Sequence, residues 1–327
     1  MGGELVWISA GALLRIAICK GVHQGPMRLP NRPILETEMR RRLWNTILEI
    51  TLQSSLSSGG PPLVSLHYFD AECPGNFDDD QRMGDGHIPK PRDDYTQTSI
   101  AIILRKTFPT RLAIARFLNG LHSHRHYEEA VRLDAELRAL YETSCQPLAG
   151  HLSSTPTKFE TCALELLFNR YLGSLHVPFF DPAMRQVRFA YSLEVVVESS
   201  VKIWYLAHPS SSVLTSQRSS NPELVYQDDL SRLMLCGSGF FRTGAMQGAL
   251  LIASELQVQA RTSLSATPAR PDLHLALNDA VTWCLRCIQA GDTNNKRYIL
   301  MCIVSAHITV LCETVRVPNS RSWSLMP

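Results

Sequence analysis

Neither sign of charge predominates in this sequence: 32 lysines and arginines stand against 30 aspartates and glutamates, a net charge of +2 over 327 residues. No global field therefore draws the chain onto nucleic acid or an anionic membrane, and any contact with DNA requires a local device. Long apolar runs are short of what a bilayer needs. Residues 5–19 are apolar but include Arg15, follow Glu4, and lack a basic start or a small-residue cleavage site, which reads poorly as a signal peptide. Residues 298–312 include His307, and a span of about 15 residues falls below the roughly 20 needed to cross hydrocarbon. Both segments read as buried helices. Phosphate loops of the Gly-x-x-x-x-Gly-Lys type and Gly-x-Ser-x-Gly elbows are absent, and Gly237-Ser238-Gly239 is too short for a dinucleotide fingerprint.

Cysteine is present but unorganised. The nine residues are scattered and odd in number, mostly in apolar surroundings such as Met301-Cys302-Ile303, which describes reduced core thiols of an intracellular protein. Cys284 and Cys287 have a CxxC spacing, yet no second pair completes a four-ligand zinc site. Their flanks, Trp283 and Ile288, are those of a helix.

With 45% apolar residues the chain has enough material for a sizeable core. Neither regular alternation nor a βαβ rhythm is visible, so the expected fold class is all-α: an irregular multi-helix bundle of antiparallel helices with no zinc cluster in it. Helices are expected over 5–20, ending at a left-handed Gly21, and over 35–53 with Leu35, Met39, Leu43, Ile47 and Ile50 as the apolar stripe. Further helices are expected near 98–108, 110–121, 127–144, 157–175, 183–206, 227–235, 239–261 and 271–312, with a break at 291–295. Val195-Val196-Val197 taken alone favours a strand, but Leu193, Val197, Val201 and Trp204 keep a helical period. Residues 54–62 and 84–94 read as loops and 206–226 as a mobile Ser/Pro-rich loop, dividing the chain into 1–205, 206–226 and a helical 227–327.

Three clusters invite a chemical reading. His122, His124 and His126 alternate as metal ligands in a strand would, but they sit in an interhelical loop beside Ser123 and Arg125, without an acidic ligand. Asp78, Asp79, Asp80 and Asp85 suggest a magnesium-dependent all-α enzyme using the Asp78 to Asp80 loop. The spacing is wrong, since Met83 stands where a further acid is needed. Arg40, Arg41 and Arg42 offer phosphate contacts, but successive helix positions point about 100° apart and form no flat patch. Glu38 lies four residues before Arg42 and Glu36 four before Arg40, the favoured orientation for helix ion pairs. Intramolecular pairing, including with the Asp78 to Asp80 loop, is the expected use of the arginines.

The order of these segments carries a resemblance. Glu36-Thr37-Glu38-Met39-Arg40-Arg41-Arg42-Leu43-Trp44, followed by Pro74-Gly75-Asn76-Phe77-Asp78-Asp79-Asp80, resembles the regulatory (middle homology) domain of fungal-specific binuclear zinc-cluster transcription factors. Trp7 through Ala17 and Gly21-Val22-His23-Gln24-Gly25-Pro26 resemble that family's preceding helix and loop, with Val22 and Gln24 where Leu and Arg are usual. Leu175-His176-Val177-Pro178-Phe179 resembles its later Leu-His-Arg-Pro-Phe helix end, with Val177 in place of arginine. The likeness covers about the first 205 residues.

The resemblance implies a nuclear regulatory domain, N-terminally truncated, that controls DNA-templated RNA polymerase II transcription through ligand- or partner-dependent repacking of helices and is not an enzyme. Its signature positions here are Arg40, Arg41, Arg42, Trp44, Pro74, Asp79, Asp80, His176 and Pro178. The six-cysteine basic segment that binds zinc in the family does not occur in these residues. Zinc and DNA contact are thus expected only through a missing N-terminal domain, together with possible protein co-regulators, a small-molecule effector or a homodimer of the full-length form, and no membrane. Absence of the family's first helices implies apolar surface around residues 5–18. A ligand-free helical interaction scaffold is the remaining alternative.

Overall fold

A computed structural model describes residues 2–28, 33–79, 88–91, 94–120, 126–145, 155–208, 229–237, 240–262 and 270–316. Helix dominates, and no strand occurs among the described residues, so the protein is all-α. The chain divides into two compact units, Met1–Tyr171 and Leu172–Pro327. The first holds α1 (Gly2–Cys19), α2 (Ile34–Ser58), α3 (Ser99–Asn119), α4 (Tyr127–Cys145) and most of α5 (Lys158–His176). The second holds the end of α5, the short α6 (Phe180–Ala183), then α7 (Ala190–Ala207), α8 (Asp229–Cys236), α9 (Phe240–Thr262), α10 (Pro271–Gln289) and α11 (Lys296–Arg316).

In the first unit α1 runs antiparallel to α2: Trp7 Nε1 donates to Pro61 O at 3.3 Å beyond one end of α2, and Arg40 reaches Gly21 near the other. Helices α3 and α4 form a second antiparallel pair, joined by Thr110 Oγ1 to Glu136 Oε1 at 2.6 Å. Helices α2 and α3 run in the same direction, because the long segment between them returns the chain to its starting end. Arg111 forks onto Glu49 at 2.8 and 2.5 Å, and Asn119 Nδ2 donates to Ser55 O at 3.0 Å one and a half turns on. Trp44, Leu48, Leu52, Phe108, Leu112 and Leu137 fill the space between these helices.

In the second unit α9 contacts α7, α10 and α11. The carboxylate of Asp292, in the turn after α10, accepts from Arg242 at 2.7 Å at the start of α9 and from Arg297 at 3.3 Å at the start of α11. Gln257 and His307 then meet farther along the same two helices, so α9 and α11 are parallel and α10 returns between them. The three valines 195–197 are buried in α7, where packing overrides their strand propensity.

Several boundaries and faces differ from expectation. Pro109 does not split α3; the helix continues through it. The lost backbone bond and ring clash cost about 3 kcal/mol, which burial of Phe108, Leu112, Ile114 and Ala115 offsets. Helix α2 runs past Gln53 to Ser58, and the Ser54 and Ser57 hydroxyls that would otherwise favour a turn are satisfied within it by the Thr51 and Gln53 carbonyls at 2.8 Å. It stops at Gly59, whose φ of 72° suits a residue without Cβ. The start of α7 lies at Ala190, after α6 and a 3-10 turn, rather than at Ala183.

The expected apolar stripe of α2 is also displaced. Leu35, Met39, Leu43 and Ile50 are exposed, whereas Glu38, Asn45, Leu48, Leu52 and Ser55 face inward with Trp44 and Ile47. Strict four-residue spacing drifts around a 3.6-residue helix, so the buried face follows a different line. Helices α1 and α11 are not buried on all sides either. Ala10, Leu14 and Ala17 pack inward, but Leu5, Ile8 and Ile16 are exposed, as are Ile299, Ile303 and Val310. The exposed side of α1 agrees with the apolar surface expected around residues 5–18. No helix of the described residues is long and apolar enough to cross a membrane.

Candidate functional site

Gly21 ends α1 with φ of 66°, its successor Val22 donating to Ala17 O at 2.9 Å in a left-handed cap. This cap leaves the carbonyls of Lys20 and Gly21 pointing at α2, where Arg40 Nη2 donates to them at 3.2 and 2.6 Å. A cation at a helix C-terminus is favoured by the exposed carbonyl dipoles. The chain after Gly21 is pinned in turn by Asp70. Its carboxylate accepts from Gly25 N at 2.7 Å and from Arg28 Nε at 2.5 Å, and these bonds hold its carboxyl below the ordinary carboxylate range.

Arg41 and Arg42, the next two residues of α2, reach different partners. Arg41 Nη2 contacts Glu72 at 2.5 Å. Arg42 Nε donates to Glu38 at 3.1 Å, its Nη1 to Asp79 at 3.0 Å and its Nη2 to Phe77 O at 3.4 Å. The three arginines thus diverge, as their helical spacing requires: Arg40 ties α2 to the end of α1, and Arg41 and Arg42 tie it to the two ends of one loop. Glu38 is buried beneath them: Oε1 takes the Arg42 bond and Oε2 accepts Gly75 N–H at 3.1 Å. A buried carboxylate needs such partners.

The loop from Glu72 to Asp79 is held from its other side by residues 88–98. Asn76 Nδ2 donates to Pro91 O at 2.7 Å and Asp94 O at 2.9 Å, while its Oδ1 accepts from Thr96 Oγ1 at 2.7 Å. Phe77 N donates to Thr98 Oγ1 at 3.0 Å. Asp78 pairs with Lys90 and accepts from Gln97 N at 3.1 Å. Partial burial pushes the Asp78 carboxyl up, but those two bonds outweigh it and hold the group below its usual range. Each described acid of the Asp78 to Asp80 loop therefore meets a cation of this chain, Asp78 on Lys90 and Asp79 on Arg42; Asp80 lies outside the described residues.

Trp44 anchors the underside, 1% exposed, with His23 at 6.0 Å and the Phe69 edge at 5.4 Å between ring centroids. Arg105 stacks over Phe69 at 4.7 Å. The His23 loop, the arginine helix and the segment leading to Pro74 thus share one aromatic cluster. Behind the loop opens a cleft of about 460 Å³, lined in part by Pro74, Cys73, Lys90, Ile102, Ile103 and Lys106. Glu72, Lys90 and Thr98 were not singled out from sequence as parts of this arrangement. For Glu38 the i,i+4 spacing to Arg42 was a signal, but nothing local marked its bond to a residue 37 positions on.

The second unit holds the remaining signature positions. His176 is fully buried, with Nδ1 2.8 Å from Ser192 Oγ and the Tyr191 ring edge-on at 5.5 Å. Pro178 is the second residue of the 3-10 turn Val177–Phe179, whose Phe179 stacks on Phe189 at 5.7 Å. Both are core and turn residues. Burial raises the Cys284 and Cys287 thiols to about 12 and 11, which suits inert core cysteines. Among the described residues no three His, Cys, Asp or Glu side chains gather to hold a metal ion. Of the loop histidines, His126 is described; His122 and His124, like Asp85 and most of the 206–226 segment, lie outside the described residues.

No family model matches the chain, and no solved structure does. Curated proteins do match. The chain is 31% identical over 339 residues to transcription factor asR3 of Sarocladium schorii, an alignment covering 95% of this chain and 39% of that protein. It is 34% identical over 255 residues to transcription factor lepE of Aspergillus flavus, covering 77% and 29%. It is 25% identical over 206 residues to the Zn(2)-C6 fungal-type transcription factor pigI of Monascus ruber, covering 60% and 25%. The chain therefore spans well under half the length of these relatives. The chain belongs to the fungal Zn(2)-C6 transcription factors, as part of their regulatory region.

Proposed function

We propose that this chain is the regulatory part of a nuclear regulator of RNA polymerase II transcription, and that the clasp between α2 and the Pro74 to Asp79 loop is the element through which a ligand or protein partner changes its output. The likeness to the transcription factors asR3 and lepE supports the general role. The observation that carries the finer reading is the buried Glu38 carboxylate shared by Gly75 N–H and Arg42, beside the Arg42 to Asp79 pair. Charged groups that hold a loop over a cleft have two discrete arrangements, paired and separated, and a ligand that favours one of them shifts the population. On this reading zinc and DNA contact belong to a part of the regulator other than these residues, and homodimerisation to the full-length form.

The test tethers the chain to an operator through an unrelated DNA-binding domain and measures reporter transcript. Output should differ from that of the tether alone, and Glu38→Gln should change it at equal protein level and equal operator occupancy. A reporter indifferent to both the chain and the substitution contradicts the proposal.

A further inference from the structure

We propose that the cleft behind the Pro74 loop binds a small amphipathic carboxylate, its acid group on Lys106 at the mouth and its apolar part on Ile102 and Ile103. The inference deepens the regulatory reading and rests on it for its biological meaning, but its chemistry stands on the cleft alone. The volume, about 460 Å³, lies within the roughly 300–1,000 Å³ typical of small-molecule sites. Ile102, Ile103 and Pro74 supply an apolar lining, and two lysines from different elements, Lys90 from the loop and Lys106 from α3, supply cations.

The two lysines are not equivalent. Lys90 is engaged by Asp78. Lys106 is exposed, and among the described residues no carboxylate pairs with it. Glu72, the carboxylate in the lining, is taken by Arg41 at 2.5 Å. The field inside agrees: burial pushes the Cys73 thiol up to about 11, while Arg105, Lys106 and Arg41 pull against it and Glu38 is the carboxylate opposing them. A cation excess over an apolar floor selects an anion with a hydrocarbon part. The loop that would close over such a ligand carries Gly75 and Asn76, both in the lining and both in the clasp, so occupancy and clasp geometry share residues.

Calorimetric titration of the purified chain with octanoate tests the site, with 1-octanol and inorganic phosphate as controls lacking the charge and the chain respectively. Octanoate should bind saturably. Lys106→Met, at an exposed position that does not threaten folding, should weaken it about tenfold, the size of one lost charge-assisted contact, and Lys106→Arg should keep it. Octanol and phosphate should each bind at least tenfold more weakly. Absence of saturable heat, octanoate binding unchanged in Lys106→Met, or phosphate binding as well as octanoate overturns the proposal. Those failures leave the reporter prediction for Glu38→Gln untouched, so the cleft and the regulatory reading fail separately.

Discussion

The carboxylate of Glu38, 2% exposed near the start of α2, accepts the backbone N–H of Gly75 at 3.1 Å. A helix side chain thereby fixes the main chain of a loop 37 residues away, and Arg42, bonded to the other carboxylate oxygen, extends the tie to Phe77 O and Asp79. The bond is charge-assisted and withdrawn from water, the setting in which such contacts matter most.

Glu38→Ala leaves Gly75 N–H without its acceptor and Arg41 and Arg42 without their shared buried carboxylate. A loss of about 3 kcal/mol in urea unfolding is expected, the scale for breaking a buried pair. Glu38→Gln keeps an acceptor for Gly75 and should lose about half as much. Equal losses would mean that the charge carries the whole effect, and a Glu38→Gln protein as stable as wild type would mean that the charge contributes nothing there.

The Arg111 to Glu49 fork ties α2 to α3 inside the first unit, under the Tyr171 ring, whose centroid lies 5.4 Å from the guanidinium. Arg111→Met alone should lower stability by about 3–5 kcal/mol, because it strands Glu49. Adding Glu49→Leu should restore part of that loss. Additive losses in the two-residue cycle would show that the residues act independently.

His208 closes α7 in the second unit, stacked on Trp204 at 3.9 Å and edge-on to Trp283 at 5.5 Å. Its Nδ1–H donates to Trp204 O at 3.0 Å, and among the described residues the buried Nε2 has no hydrogen-bond partner. Burial lowers its pKa from 6.5 to about 4, with nearby Arg286 adding to the shift and the Trp204 bond opposing it. The unfolded chain therefore takes up a proton first as pH falls. The contribution is fully present above about pH 6.5 and is lost between there and pH 4, up to about 3 kcal/mol. His208→Phe keeps an aromatic ring on Trp204 and should flatten that part of the stability curve; an unchanged slope would place the titration elsewhere.

Helix type and most boundaries were legible because they depend on local rules. Gly21 and the break at Gly291 sit at positive φ where the pattern stops, and Val195 to Val197 follow the helical period of their neighbours. What was not legible was which face of a helix turns inward. In α2 the buried face carries Glu38 and Asn45 and leaves Leu43 and Met39 outside, a choice made by the loop 30 to 40 residues downstream that supplies hydrogen-bond partners. Pro109 misled for a similar reason, since the core that compensates for it belongs to other helices. The arginine positions were readable from their order and spacing. The bond from Glu38 to Gly75, and the cleft that opens behind Pro74, depend on non-local pairing that no single segment displays.

Arg41 and Arg42 of α2 hold the Glu72 to Asp79 loop, and the proposed function makes this clasp the element that sets transcriptional output. The most direct test exchanges the charges of one pair in the tethered reporter. Arg42→Asp and Asp79→Arg should each shift output, and the double exchange should bring it back toward wild type, with operator occupancy constant in all three. Single variants that leave output unchanged, or a double variant that adds the two defects, would contradict it.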